Sequence, residues 1–113
     1  MLHGLITQRE GQNMYGKTTD VLEAAYTEFY ESLGIRLHPV SNFTKDIEAI
    51  FDEQFDVLIV TGGGTLHPRH YVEPHNAKLQ PHRDAVEEKL IMYCVKNEIP
   101  IIGVCRGMQH INA

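Results

Sequence analysis

Short apolar segments alternate with amphipathic ones along this sequence of 113 residues. Residues 55–60 read Phe-Asp-Val-Leu-Ile-Val, and such an almost wholly apolar run is typical of a parallel strand that is buried on both faces. Further strands are predicted at residues 2–7, 35–40 and 99–104. Because strands and helices alternate, the sequence predicts an α/β fold in which a parallel sheet carries helices on both faces.

Helical spacing marks the segments between these strands. Asp20 and Glu23 are predicted to form a capping pair for a first helix that ends at Gly34. A short second helix is expected near residues 47–51, a third at 83–97 and the beginning of a fourth at 108–113. The polar stretch 8–18 is predicted to be a loop, and 61–80, which is interrupted by prolines, a long irregular connection. The apolar positions of the first helix are Leu22, Ala25, Tyr26, Phe29 and Leu33.

Composition excludes several classes of protein. The net charge is -5 and no basic run occurs, which argues against a nucleic-acid groove or an anionic membrane surface as the main partner. No signal peptide or membrane-spanning segment is evident, and two cysteines do not make a disulfide framework. We therefore expect a cytoplasmic protein of at most one domain, with a small-molecule ligand.

A cysteine flanked by glycines follows the apolar run 99–104. Gly103 and Gly107 stand two residues before and two after Cys105, which is the spacing of a nucleophile elbow, where larger neighbours would collide with the strand-to-helix corner. The N-terminus of the following helix would favour the thiolate. Cys105 is therefore the candidate nucleophile, and the alternative is a cysteine that only fills space. Cys94, on an apolar helical stripe, is predicted to be of that second kind.

Three consecutive glycines at 62–64 follow the strand predicted at 55–60. Ligands of parallel sheets bind beyond the carboxyl ends of the strands, where both these glycines and Cys105 are expected. A thiolate that attacks an amide carbonyl creates an oxyanion, which needs N–H donors about 3 Å away. The glycine loop can supply one donor and the N–H of Arg106 another, whereas the alternative is that the glycines only form a turn.

Three stretches of the sequence resemble the class I glutamine amidotransferase-like hydrolases and, within them, the γ-glutamyl hydrolase branch, peptidase C26. Residues 6–9 are similar to the opening strand of that branch, and 62–71 to its oxyanion loop. Residues 83–112, which include Arg83-Asp84 and Gly-Val-Cys-Arg-Gly-Met-Gln, are similar to its nucleophile region. The resemblance implies a flavodoxin-like fold, of which this chain is the N-terminal half.

The resemblance also implies a set of site residues. It assigns the nucleophile to Cys105 and the oxyanion-hole amides to Gly63 and Arg106. The implied reaction forms a thioester at a γ-glutamyl carbonyl, releases the amine and then hydrolyses the thioester, without a metal or an organic cofactor. The remaining residues of the implied site bind the substrate: Gly62, Gly64 and Gln109.

The sequence departs from the family pattern twice. Thr65 replaces an acidic residue of the oxyanion loop, and the histidine base with its glutamate, which the family carries far downstream, has no counterpart in the eight residues after Cys105. His110 is predicted to point away from the elbow, His3 belongs to the first strand, and His82 precedes the nucleophile and opens a helix. We therefore expect the chain to be the N-terminal part of a longer enzyme and to be inactive alone.

Other interpretations stay open. The same fold could serve as a non-catalytic γ-glutamyl-binding module, or as a glutaminase that delivers ammonia to a synthetase partner. The sequence also leaves open which amine is released, including amines linked to nucleotides, and whether the protein forms a homodimer. A zinc site is not favoured, because the histidines of the long connection are irregularly spaced, interrupted by prolines and joined by no cysteine. These histidines are His67, His70, His75 and His82.

Overall fold

The computed structural model describes residues 1–62 and 80–104, and these form a parallel sheet with helices on both faces. The predicted α/β fold class is thereby confirmed. In chain order the elements are β1 (Leu2–Thr7), β2 (Arg9–Gln12), β3 (Thr18–Val21), α1 (Ala24–Ser32), β4 (Ile35–Val40), α2 (Ile47–Ile50), β5 (Val57–Val60), α3 (Pro81–Lys96) and β6 (Ile101–Gly103).

The main sheet has the strand order β4-β1-β5-β6, and every neighbouring pair is parallel. Leu5 of β1 pairs with both His38 of β4 and Leu58 of β5. On the other side of β5, Ile59 pairs with Ile102 of β6. All four strands therefore end at one edge of the sheet, which is the edge where ligands of such sheets bind.

The alternation of side chains along β5 divides the core into two layers. Leu58 and Val60 pack in a cluster with Leu90 of α3, and α2 covers the same face. Val57 and Ile59 belong to a second cluster that Tyr30 of α1 completes on the opposite face. Both faces of β5 are buried, which explains why its sequence is continuously apolar.

The stretch predicted to be a loop at 8–18 contains instead part of an antiparallel hairpin. β2 pairs with β3, and the turn between them is closed by Asn13, whose side-chain oxygen accepts hydrogen bonds from the backbone N–H groups of Tyr15 and Lys17. Gly16 supports the turn with φ of +74°, a conformation that glycine adopts without strain. The prediction failed because the strands are polar and mostly half-exposed, so no apolar alternation marked them.

The predicted capping pair of α1 is wrong in its first member. Asp20 lies in β3, where its carboxylate accepts hydrogen bonds from the Ser41 hydroxyl (2.6 Å) and from the backbone N–H of Asn42 (2.9 Å). Glu23 is the N-cap residue, but its side chain makes no capping hydrogen bond and pairs with Arg9. Asp20 therefore ties the hairpin to the segment that follows β4. The helix begins only at Ala24.

α3 begins at Pro81, two residues before the predicted position. Proline suits the first turn of a helix, because its missing N–H would have no helical partner there. Across the two described ranges, no helix is both long and apolar enough to span a bilayer.

Candidate functional site at the carboxyl edge of the sheet

The carboxyl ends of β5 and β6 lie side by side. Val60 pairs with Gly103, and the N–H of Val104 donates a hydrogen bond of 2.9 Å to the carbonyl oxygen of Val60. The backbone therefore leaves the sheet at two adjacent points, after Val60 of β5 and after Gly103 of β6. The glycine run at 62–64 and Cys105 each begin two residues beyond one of these points.

Two threonines join β1 to the exit of β5. The N–H of Thr61 donates to the hydroxyl of Thr7 (3.0 Å), and the hydroxyl of Thr61 donates to the carbonyl oxygen of Thr7 (3.0 Å). Both side chains are almost completely buried. Since buried polar groups bond in fixed geometry, these contacts hold the last residues of the two strands at a defined separation.

A buried arginine of α3 binds the backbone at the exit of β5. Nη2 of Arg83 donates to the carbonyl oxygens of Thr61 (2.7 Å) and Gly62 (2.9 Å), and contacts the hydroxyl of Thr61 at 2.8 Å. The Arg83 side chain has no solvent exposure. A guanidinium donates in several fixed directions from one rigid plane, so it can bind two successive carbonyls together.

Neighbours on α3 and at its start hold this guanidinium in turn. Nε of Arg83 donates to Glu87 at 3.0 Å, one helical turn away, and Nη1 donates to the side-chain oxygen of Gln80 at 3.3 Å. Glu87 is also fully buried, so the two charges compensate each other where water cannot. The arginine is thus fixed from one side while it binds the loop backbone with the other.

A tyrosine of α1 binds the same loop from the opposite face of the sheet. The N–H of Gly62 donates to the hydroxyl of Tyr26 at 3.1 Å. Beside this contact lies an open, mainly apolar cavity of about 290 Å³. Its lining residues are Ala25, Tyr26, Phe29, Tyr30 and Val104.

The hairpin reaches the N-terminus of α3 through Glu10 of β2. One carboxylate oxygen of Glu10 accepts hydrogen bonds from the backbone N–H groups of His82 (2.7 Å) and Arg83 (3.1 Å), and the other lies 2.9 Å from Nδ1 of His82. The N–H of Glu10 donates to Gln80 at 2.8 Å. A carboxylate is favoured at this end of a helix by the unpaired N–H groups and the dipole, so Glu10 anchors the helix that carries Arg83.

The described ranges contain only part of the predicted site. Gly62 is buried, and its N–H and C=O are bound as stated above. His82 is exposed and packs its ring against Phe43 at 4.8 Å. Within the described ranges no three histidine, cysteine or acidic side chains are grouped to hold a metal ion. The following predicted residues lie outside the described residues: Gly63, Gly64, Cys105, Arg106, Gln109, His67, His70, His75 and His110.

The prediction that Cys94 only fills space in the core is confirmed. Its side chain is completely buried in the core cluster of α3, and burial raises the pKa of the thiol to about 11. A thiol of this kind is protonated at neutral pH and out of reach of a substrate. Of the two cysteines in the sequence, only Cys105 therefore stays a candidate nucleophile.

Sequence reasoning assigned no role to Arg83 or Tyr26. The helical periodicity places Tyr26 on an apolar stripe, and nothing in that pattern marks its hydroxyl. Arg83 had one available signal, because it stands four residues before Glu87 on a helix whose neighbouring positions Val86 and Leu90 are core. An opposite-charge pair at that spacing on the buried side of a helix indicates an internal ion pair.

Comparison with known families agrees with the fold. The family model described as Peptidase C26 matches residues 2–113, almost the whole chain. The chain therefore belongs to the peptidase C26 family, within the class I glutamine amidotransferase-like proteins.

Individual relatives cover shorter segments. Protein NtpR of Enterococcus hirae is 42% identical over 77 residues, which are 66% of this chain and 31% of that protein. The glutamine amidotransferase-like protein YvdE of Lactococcus lactis is 42% identical over 60 residues, 50% of this chain and 25% of that protein. A glutamine amidotransferase-like protein of Rickettsia prowazekii is 33% identical over 64 residues, which are 53% of this chain and 23% of that protein. The matched segments thus span less than a third of each relative.

Proposed function

We propose that the protein of which this chain is a part hydrolyses γ-glutamyl amides through a thioester on Cys105. The observation that carries the proposal is the pairing of Val60 with Gly103, together with the bond from Val104 to Val60. It brings the exit of β5 next to the exit of β6. A nucleophile that follows Val104 would therefore lie near the backbone amides that follow Gly62.

The family supports the reaction class. Peptidase C26 and glutamine amidotransferase-like relatives point to hydrolysis of amides, in which an enzyme needs a nucleophile and oxyanion donors. We assign the oxyanion donors to the N–H groups of Gly63 and Arg106. Gly64 and Gln109 are proposed to contact the glutamyl part of the substrate, whereas Gly62 is buried and has no unbound polar group for it. Gly62 cannot serve as an oxyanion donor in this arrangement, because its N–H is bound to Tyr26.

The proposed chemistry proceeds in two balanced steps. The thiolate of Cys105 attacks the γ-carbonyl carbon, the C–N bond breaks, and the amine leaves with the proton that a general base has taken from the thiol. Water, deprotonated by the same base, then attacks the thioester carbon and the C–S bond breaks. Glutamate is released, and the sulfur takes up the proton to regenerate the thiol. We expect a histidine elsewhere in the full-length protein to be the base.

The first test replaces the nucleophile. Cys105→Ser in the full-length protein is expected to abolish release of p-nitroaniline from γ-glutamyl-p-nitroanilide, since a hydroxyl is a much weaker nucleophile than a thiolate. Cys94→Ala is the matched control and is expected to keep wild-type turnover, because Cys94 lies inside the core. Wild-type turnover in Cys105→Ser would remove the cysteine from the mechanism.

Relatives named glutamine amidotransferase-like favour glutamine as an alternative substrate. The second candidate is therefore a glutaminase, which we propose would deliver ammonia to a synthetase. The two candidates differ in their preferred leaving group. We propose to compare kcat/KM for glutamine with that for γ-glutamyl-aminobutyrate and for a γ-glutamyl amide of a nucleotide-linked amine. A preference for the substituted amides supports the hydrolase, whereas a preference for glutamine supports the glutaminase. A protein that binds γ-glutamyl amides without turnover would be the non-catalytic binding module.

A further inference from the structure

The polar groups of Gly62 are held from both faces of the sheet. Arg83 of α3 binds the carbonyl oxygens of Thr61 and Gly62, and Tyr26 of α1 accepts the N–H of Gly62. The peptide unit between Thr61 and Gly62 is therefore bound at its C=O and at its N–H. The next peptide unit, which joins Gly62 to Gly63, is bound at its C=O.

A peptide unit is planar and, in its ordinary trans form, directs its N–H opposite to its C=O. A hydrogen bond that fixes the carbonyl oxygen of Gly62 therefore also fixes the direction in which the N–H of Gly63 donates. The carbonyl of Gly62 accepts from a charged donor, and such a bond polarises the amide and strengthens its N–H as a donor.

We propose that Arg83 and Tyr26 are positioning residues for the oxyanion hole, which aim the N–H of Gly63 at the acyl oxygen of the substrate. The inference rests on the proposed function, and it assigns a role in transition-state stabilisation to one buried contact, that of Arg83, and one partly buried contact, that of Tyr26. Neither residue touches the substrate in this scheme. Arg83 acts through the carbonyl of Gly62, and Tyr26 acts by keeping the preceding peptide unit from rotating.

The scheme explains why Gln80 and Glu87 contact the guanidinium. An arginine that orients another group must itself be fixed, and the contacts at 3.0 Å to Glu87 and 3.3 Å to Gln80 hold its plane. Gln80 also accepts the N–H of Glu10, which binds the N-terminus of α3. The hairpin, the helix and the glycine loop are thus joined by one continuous set of hydrogen bonds.

The test uses two variants of the full-length protein, Arg83→Lys and Tyr26→Phe. Arg83→Lys keeps the charge beside Glu87 but loses the planar fork, and Tyr26→Phe removes only a hydroxyl. Because loss or misplacement of one oxyanion donor costs about a hundredfold in rate, we expect kcat for γ-glutamyl-p-nitroanilide to fall by about that factor in Arg83→Lys. A smaller fall, of roughly tenfold, is expected in Tyr26→Phe, with KM little changed in both variants.

A second readout separates positioning from damage to the site. Alkylation of the Cys105 thiol by iodoacetamide is a displacement that forms no oxyanion, so its rate should stay within about twofold of wild type in both variants. Matched controls are Arg36→Lys and Tyr15→Phe, which alter exposed side chains of the same types. These controls should retain the wild-type kcat.

The outcomes are distinguishable. A fall in kcat at unchanged alkylation rate supports the inference. An unchanged kcat in both variants overturns it, and so does a parallel fall of kcat and alkylation rate, which would show that the residues only maintain the fold. Because Tyr26→Phe is nearly isosteric, it decides the question if Arg83→Lys does not fold. Failure of the proposed function gives a different pattern, namely unchanged turnover in Cys105→Ser.

Discussion

The two cysteines should differ sharply in their reactivity toward iodoacetamide. The Cys94 thiol has no solvent exposure, and burial raises its pKa to about 11. At pH 8 a thiol with that pKa is ionised to about one part in a thousand, whereas a free cysteine of pKa about 8.5 is ionised to about one part in four. Ionisation alone therefore slows Cys94 by roughly 200-fold relative to an unfolded chain. Exclusion of the reagent from the core slows it further.

The assay is peptide mass spectrometry after timed alkylation of the native full-length protein at pH 8. Trypsin cleaves after Lys89, Lys96 and Arg106, so the two cysteines fall on separate peptides, 90–96 and 97–106. We expect peptide 90–96 to stay unmodified while the protein is native and to react at the rate of a free thiol in guanidinium chloride. The denatured sample is the control for reagent access.

Modification of peptide 90–96 in the native protein within about tenfold of its denatured rate would refute the reasoning. It would show that the helix carrying Cys94 opens readily or that the thiol is not in the core. Rapid modification of peptide 97–106 in the same sample would support a thiolate at Cys105, as the proposed function requires. The single experiment thus tests the burial of one sulfur and the activation of the other.

Two predictions concern stability, measured as the free energy of unfolding in urea on the full-length protein. Leu90→Ala should lower the free energy of unfolding by about 2–5 kcal/mol, because Leu90 is completely buried in the cluster of α3 and β5 and its truncation leaves a cavity. A loss below about 0.5 kcal/mol would contradict that packing. Glu10→Ala should lower the free energy of unfolding by about 1–3 kcal/mol, because two N–H groups at the start of α3 lose their charged acceptor. The control is Glu53→Ala, which removes an exposed carboxylate. An equal loss in that control would show that the change in net charge, and not the lost hydrogen bonds, is responsible.

The main sheet could be predicted from the sequence because its two central strands, β1 and β5, are largely buried. Val57–Val60 is apolar on both faces of the strand, and this pattern has few alternative structures. The hairpin of β2 and β3 could not be predicted, since Thr18–Val21 pairs through its backbone and carries mixed polar side chains. Asp20 illustrates the same limit. Its spacing to Glu23 suits a helix cap, but contacts with Ser41 and Asn42, more than twenty residues away, place it in a strand.

The candidate site could be proposed from the sequence where neighbours along the chain define it, but not where distant elements do. The glycine run and the glycine-flanked cysteine are local patterns, and the strand pairing places their starting points together. Arg83 and Tyr26 contact the backbone of Gly62 from helices on opposite faces of the sheet. No spacing pattern in the sequence predicts these contacts. Such contacts follow from topology, because the parallel order β1-β5-β6 brings the starts of both helices near one edge.

The energetics of the Arg83–Glu87 pair favour a role beyond stability. Two charges buried together lose their hydration, and apolar side chains of similar volume often stabilise a core as well or better. The pair by itself therefore does not account for an arginine at this position. Its other hydrogen bonds do, because they end on consecutive carbonyls of the loop, which an apolar side chain could not bind. A guanidinium fixed by Glu87 on one side holds the carbonyls of Thr61 and Gly62 in one orientation on the other, as the proposed oxyanion hole would require.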